Sequence, residues 1–215
     1  MKKFAVVLAG CGVFDGAEIH EAVMTLFAIE KNGAAWTAFA PDVKQHHVID
    51  HLSKTATAES RNVLIESARL VRGNIAPLSS FNAAEFDALI IPGGFGVAKN
   101  LCTFAFDGAD CSVNADVEKA IRDMHNLNKP IGALCIAPVL LAKILGNINV
   151  TIGDDAGTAE AINKMGATHT KTGHGEVIRD AANNVFSTPC YMLDAGLVQI
   201  AAGADNIVKA MLGNM

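Results

Sequence analysis

Lys129-Pro-Ile-Gly-Ala-Leu-Cys-Ile-Ala-Pro-Val139 is the stretch on which the rest of the chain turns. Pro130 opens it, and the apolar run Ile131 to Leu134 has the length of a buried parallel strand. Ile136 to Leu145 reads as a helix, with Pro138 in its first turn, where a missing N–H removes no hydrogen bond. Cys135 falls at the joint. A residue on a sharp strand-to-helix turn pushes its side chain out at the carboxyl edge of the sheet, and such a turn calls for a sparsely populated backbone conformation with φ > 0. The sulfur would face unpaired N–H groups of a helix N-terminus, which favour negative charge and draw a thiol pKa from about 8.5 toward neutrality. This pattern predicts a nucleophile; a buried structural cysteine is the competing reading.

Outward from the elbow, the pattern repeats. Lys3 to Ala9 is a strand ending in Gly10-Cys-Gly-Val-Phe-Asp-Gly16, and a helix follows over 17–31. Ile19, Val23, Leu26 and Phe27 stand at helical spacing and predict its core face. Asn32-Gly33 stops the helix. Ala35 to Ala40 is a second strand, Glu59 to Val71 a helix, and Asp87 to Ile91 a third strand closed by Pro92-Gly93-Gly94-Phe95-Gly96. A loop over 101–112 precedes a helix over Val113 to Leu127. A strand near Val150, a helix over Thr158 to Met165, short strands near 167–171, 177–179 and 185–187, and a helix over 195–212 complete the chain. Strands alternating with helices imply one α/β domain over residues 1–215, its mostly parallel sheet covered on both faces.

Composition narrows the function. The net charge is −5, with one Trp and one Tyr, so no basic patch or stacking platform points to nucleic acid. Five cysteines without CxxC spacing fit reduced thiols in a cytoplasmic setting. No apolar stretch approaches the roughly 18 residues needed to span a bilayer. Met1-Lys2-Lys3 followed by apolar residues 4–9 resembles the start of a signal peptide, but the run falls short of the usual minimum of about seven.

Loops leaving the carboxyl ends of parallel strands share one rim, where ligands bind. Four meet there: 10–16, 92–96, the Cys135 elbow and 187–191. Gly93-Gly94 lets backbone N–H groups approach a ligand, and the N–H groups of Gly94 and Ile136 would form an oxyanion hole beside the thiol. Asp15 and Glu18 read best as helix-dipole partners. Glu21, placed between the expected core positions Ile19 and Val23, is the candidate for a partly dry carboxyl that moves protons. Gly10-x-Gly12-x-x-x-Gly16 with Asp42 resembles a loose dinucleotide fingerprint, yet Asp15 and Glu18 would repel a pyrophosphate. His47 and His51 have a metal-ligand spacing without a third ligand, so a solvated or capping role is expected and no metal. Cys190, on the same rim, is a second-choice or resolving thiol, and Cys11 lies close by.

The motifs 10–21, 59–64, 91–100, Cys135-Ile-Ala-Pro138, Val150-Thr-Ile-Gly153 and Thr188-Pro-Cys-Tyr-Met-Leu193 together resemble the ThiJ/PfpI superfamily, most closely its ElbB branch, over essentially the whole chain. The resemblance implies a flavodoxin-like sandwich, Cys135 on a nucleophile elbow, and Glu21 rather than Glu18 hydrogen-bonded to its sulfur, with Glu18, Gly93 and Cys190 around them. It implies a glutathione-independent glyoxalase that converts glyoxal to glycolate without a cofactor, acting on small reactive aldehydes; a homodimer is also expected. A redox-sensing or chaperone-like protein, or an accessory of isoprenoid biosynthesis, is the alternative. Two departures stand out. Ile136 replaces the histidine that follows the cysteine in protease-like members, and Gly153 stands where a deglycase subgroup carries a histidine.

Overall fold

Short strands that are apolar along their whole length need helices on both sides to leave water. In the computed structural model, which describes residues 1–215, they are arranged in that way. The elements in order are β1 (Lys3–Val7), α1 (Ile19–Lys31), β2 (Ala35–Ala40), the hairpin β3 (Ile49–Asp50) and β4 (Thr55–Ala56), and α2 (Val63–Ser67). Then come β5 (Ile75–Pro77), β6 (Ala88–Ile91), α3 (Phe104–Asp107), α4 (Ala115–Asn126), β7 (Ile131–Leu134) and α5 (Pro138–Leu145). The chain ends with β8 (Asn149–Val150), α6 (Ala156–Lys164), β9 (Thr168–His169), β10 (Ile178–Asp180), β11 (Val185–Thr188) and α7 (Leu197–Leu212).

The main sheet runs β10-β11-β7-β6-β1-β2-β5, parallel throughout except for the edge pair β10–β11. Its inner part, β2-β1-β6-β7-β11, has the flavodoxin-like strand order, and the direction of winding switches between β1 and β6. Ligands bind at the carboxyl ends of strands beside such a switch. Phe4 to Val7, Ala88 to Ile91 and Ile131 to Leu134 are buried on both faces and belong to one continuous apolar core.

Several local expectations fail for physical reasons. Glu18 caps α1 by accepting the Glu21 N–H at 2.7 Å, so the helix begins at Ile19 and not at residue 17. Its expected apolar face is rotated. Ile19, Val23 and Phe27 are 42%, 41% and 58% exposed, while Glu21, Ala22, Thr25, Leu26, Ala28 and Ile29 are buried. Small residues on the inner side let α1 lie close to its neighbours, and that packing outweighs side-chain hydrophobicity. The helix expected over 59–71 shrinks to α2, capped by the Asn62 side chain, which accepts the Ile65 N–H at 3.0 Å. The edge strand β5 and the β3–β4 hairpin escaped the reading because strands of two or three residues carry too little periodicity. Asn114, with its side chain accepting from the N–H groups of Asp116 and Val117, starts α4 two residues later than expected.

Candidate active site

The elbow forms as the sequence requires. β7 stops at Leu134, Cys135 takes φ +58°, and α5 starts at Pro138 behind the cap residue Ala137, two residues later than the expected Ile136 because residues 135–137 form the turn itself. The Cys135 N–H donates to the Thr188 carbonyl at 3.0 Å, which pins the turn to the end of β11. The other loops are stitched to the same rim. Glu18 N–H donates to Gly93 O at 2.9 Å, Phe95 N–H to Val13 O at 2.8 Å, and Gly96 N–H to Gly16 O at 2.8 Å. Gly16 and Gly96 have no room for a Cβ: one on Gly16 would meet the Cys11 nitrogen at 2.2 Å, and one on Gly96 the Ala9 carbonyl at 2.4 Å. The glycines of the first loop therefore serve chain crossing, and the loop is closed on itself by Gly12 N–H to Ala17 O and Gly16 N–H to Gly12 O. No cradle for a pyrophosphate is left. Asp15, expected to partner the helix dipole, instead accepts the Ile49 N–H at 2.7 Å and holds the β3–β4 hairpin down.

Glu21 is fully buried, although its expected neighbours Ile19 and Val23 are not. One carboxylate oxygen accepts the Gly93 N–H at 2.9 Å and the other the Tyr191 N–H at 3.1 Å, and the Cys135 sulfur packs beside the same carboxyl. A Cβ on Gly93 would lie 2.4 Å from Cys135 Cβ and 2.6 Å from Glu21 Oε2, so glycine is what permits this approach. Burial raises the Glu21 pKa from 4.5 to about 7, against the pull of its two backbone donors and the thiol. Cys135 moves the other way from expectation. Burial, then the charge of Glu21, pushes its thiol well above the ordinary range, and the Gly94 N–H to sulfur bond only partly opposes them. The elbow does not lower this pKa, because burial, and after it the carboxylate of Glu21, outweighs the partial charges at a helix end.

The N–H groups of Gly94 and Ile136 donate to no backbone carbonyl. Both residues and Cys135 line a cavity of about 310 Å³, with Glu18, Asp155, Thr158 and Tyr191 bringing polar groups to mostly apolar walls that include Phe95 and Met192. That volume suits a small-molecule ligand. Cys190, the second-choice thiol, takes φ +42°, and burial followed by the charge of Glu21 raises its pKa too. Its backbone turn delivers the Tyr191 N–H to Glu21. Cys11 is half-buried, with its pKa raised by burial.

Tyr191 was missed as a site residue. Its position two residues after Pro189 on a rim loop is the only signal the sequence offered. Its hydroxyl meets His20 Nδ1 at 3.0 Å, so that histidine is hydrogen-bonded to the tyrosine and not to the cysteine. Gly153 has φ +88°, and a Cβ there would lie 2.8 Å from the Leu193 side chain, which explains why no histidine occupies it. His51 is held by the Ile49 carbonyl and the Phe14 N–H, and no group of three His, Cys, Asp or Glu is arranged to hold a metal ion.

The model of the DJ-1/PfpI family matches residues 11–182, which takes in the first loop, the glycine turn and the elbow. The chain belongs to the DJ-1/PfpI family. It is 48% identical over 220 residues to the rat ES1 protein homolog, mitochondrial, covering 98% of this chain and 83% of that protein. The human glutamine amidotransferase-like class 1 domain-containing protein 3, mitochondrial, is likewise 48% identical, with 98% and 82% covered. Among solved structures, an isoprenoid biosynthesis protein with amidotransferase-like domain from Ehrlichia chaffeensis superposes with a TM-score of 0.92 at 36% identity, covering 99% of this chain and 100% of that one. These relatives establish the DJ-1/PfpI family and its flavodoxin-like α/β fold, not the ElbB branch. They also overturn the cytoplasmic placement expected from the cysteines: the rat and human relatives are named mitochondrial, and thiols without CxxC spacing do not distinguish two reducing compartments.

Proposed function

We propose that this DJ-1/PfpI protein is a glutathione-independent glyoxalase of the ElbB type, converting glyoxal to glycolate with Cys135 and Glu21. The observation that carries the reading is the buried Glu21 carboxyl packed against the Cys135 sulfur across Gly93, beside the Gly94 and Ile136 N–H groups that donate to no backbone carbonyl. With its pKa near 7, Glu21 is half ionised at neutral pH, where a general base works best. Glu21 takes the thiol proton as sulfur attacks one aldehyde carbon, and the new oxyanion receives the N–H groups of Gly94 and Ile136. Glu21 returns that proton to the oxyanion, giving a neutral hemithioacetal. As a carboxylate again it takes the C–H proton from the sulfur-bearing carbon while the second oxygen gains a proton to form an enediol. It then delivers its proton to the neighbouring carbon as the first oxygen loses its own, leaving a thioester. Water cleaves the thioester, so glyoxal plus water gives glycolic acid with no net oxidation and no cofactor.

Amide hydrolysis, suggested by the names of two relatives, is less well supported. A departing amine needs a proton donor, generally histidine, and no histidine is hydrogen-bonded to Cys135. The homodimer belongs to the same reading and is supported by the exposed stripe Ile19, Val23 and Phe27 on α1. The test is steady-state turnover of glyoxal with glycolate measured as product. Saturable turnover that disappears in Cys135→Ala supports the reading. Absence of turnover in the folded wild type, or its survival in Cys135→Ala, overturns it.

A further inference from the structure

Cys102 and Cys111, far in role from the elbow, lie at the two ends of the loop over 101–112. The ends are clamped as a short antiparallel ladder. Thr103 N–H donates to Ser112 O at 2.9 Å and Asn114 N–H to Leu101 O at 2.9 Å, so Cys102 is paired with Val113. Ser112 N–H also donates to Thr103 Oγ1 at 3.0 Å. Residues two apart share a face of a strand, so Cys111 stands on the same face as Val113 and diagonal to Cys102. Both side chains are buried beneath the loop, on neighbouring positions of the same ladder face. Cys102 can also turn its S–H to the Val97 carbonyl at 3.3 Å.

We propose that Cys102 and Cys111 are a redox-active dithiol that a hydroperoxide converts to a disulfide, with Cys111 as the attacking sulfur. Its electrostatic surroundings agree: the hydrogen bond from Cys102, then the charge of Lys143, lowers the Cys111 pKa to about 7, while Cys102 moves upward. Lys143 is held in place by donating to Ala109 O at 2.8 Å. The Cys111 thiolate attacks the peroxide, forming S–O as O–O breaks; the departing hydroxide takes a proton and the sulfur becomes a sulfenic acid. Cys102 sulfur then displaces hydroxide from it, forming S–S, and its thiol proton leaves with that hydroxide as water. Two thiols lose two electrons and hydrogen peroxide becomes two waters. The loop so closed carries Phe104 and Ala105 of the cavity wall, which couples this site to the cavity without touching Cys135.

The experiment is non-reducing peptide mapping of the folded full chain after mild hydrogen peroxide, in the wild type and in Cys135→Ser. A Cys102–Cys111 linked peptide, lighter by about 2 Da than the dithiol and lost after dithiothreitol, is expected in both. Cys102→Ser should trap a dimedone-reactive sulfenic acid on Cys111, and Cys111→Ser should leave none on Cys102. The linked peptide in wild type needs no variant to fold. Oxygen added to Cys135 or Cys11 with no link between Cys102 and Cys111, or a link seen only after unfolding, overturns the proposal. Failure of glyoxal turnover would leave this result unaffected.

Discussion

The two cysteine regions of this protein teach opposite lessons about what makes a thiol reactive. Cys135 has the geometry associated with activation: a strained φ of +58°, a helix beginning three residues later, and a cavity in front. Its thiol is nevertheless held protonated by burial and by Glu21. Cys111 sits in an unremarked loop with no special backbone angle, and a neighbouring thiol and Lys143 bring it to about 7. Position at a helix end contributes less than one full charge nearby. On the proposed mechanism the elbow thiol is activated only when Glu21 accepts its proton during reaction, whereas the loop thiol is shifted toward the thiolate by its resting surroundings.

The contrast is broken most severely by Glu21→Gln. This substitution keeps the shape of the side chain and removes the base, so glyoxal turnover should fall about 10²–10⁴-fold, as for other general acid–base groups. Circular dichroism should show the fold intact. If Glu18→Gln has that effect instead, the proton-transfer role belongs one turn earlier on the chain, to the residue that now caps α1.

Stability against pH measures the same group without substrate. The Glu21 pKa is raised in the folded state, from 4.5 to about 7, so its favourable contribution is full below about pH 4.5 and is lost as pH rises through 7. The unfolding free energy of the wild type, from denaturant titrations, should therefore decline across that window by at most about 3 kcal/mol from this group. The slope should be absent in Glu21→Gln. An equal slope in both proteins would mean that the carboxyl is not desolvated.

The smallest effect concerns the loop. Lys143→Gln removes a charge near Cys111 and the bond to Ala109 O, so alkylation of Cys111 at pH 7 should slow about two- to fivefold, the scale of a partly screened charge pair. Alkylation of Cys135 should not change. An unchanged Cys111 rate would leave the sulfur–sulfur hydrogen bond as the sole cause of its acidity.

Much of this was legible in the sequence because strong local signals and the site coincide. The run 131–134 against Pro138 fixes where the elbow must fall, and Gly93-Gly94 after an apolar strand marks the second rim loop. Glu21 was reached for the wrong reason, since Ile19 and Val23 face out and the carboxyl is buried by the Gly93 and Tyr191 loops. Tertiary contacts of that kind leave no periodic trace. The acidity of Cys111 was hidden likewise. It depends on Lys143, 32 positions along the chain, and on a ladder held by only two backbone bonds. The low pKa expected of Cys135 is absent because burial and the charge of Glu21, both set by tertiary packing, raise it, and neither is visible in the local strand-to-helix pattern.

The pH dependence of kcat/KM for glyoxal, in wild type and Glu21→Gln, tests the central claim most directly. A resting thiol with a carboxylate base requires the rate to rise with pH through an apparent pKa near 7, as Glu21 ionises, and the residual rate of Glu21→Gln to lack that step. A rate that falls across this range, or a step that persists unchanged in Glu21→Gln, would contradict the account.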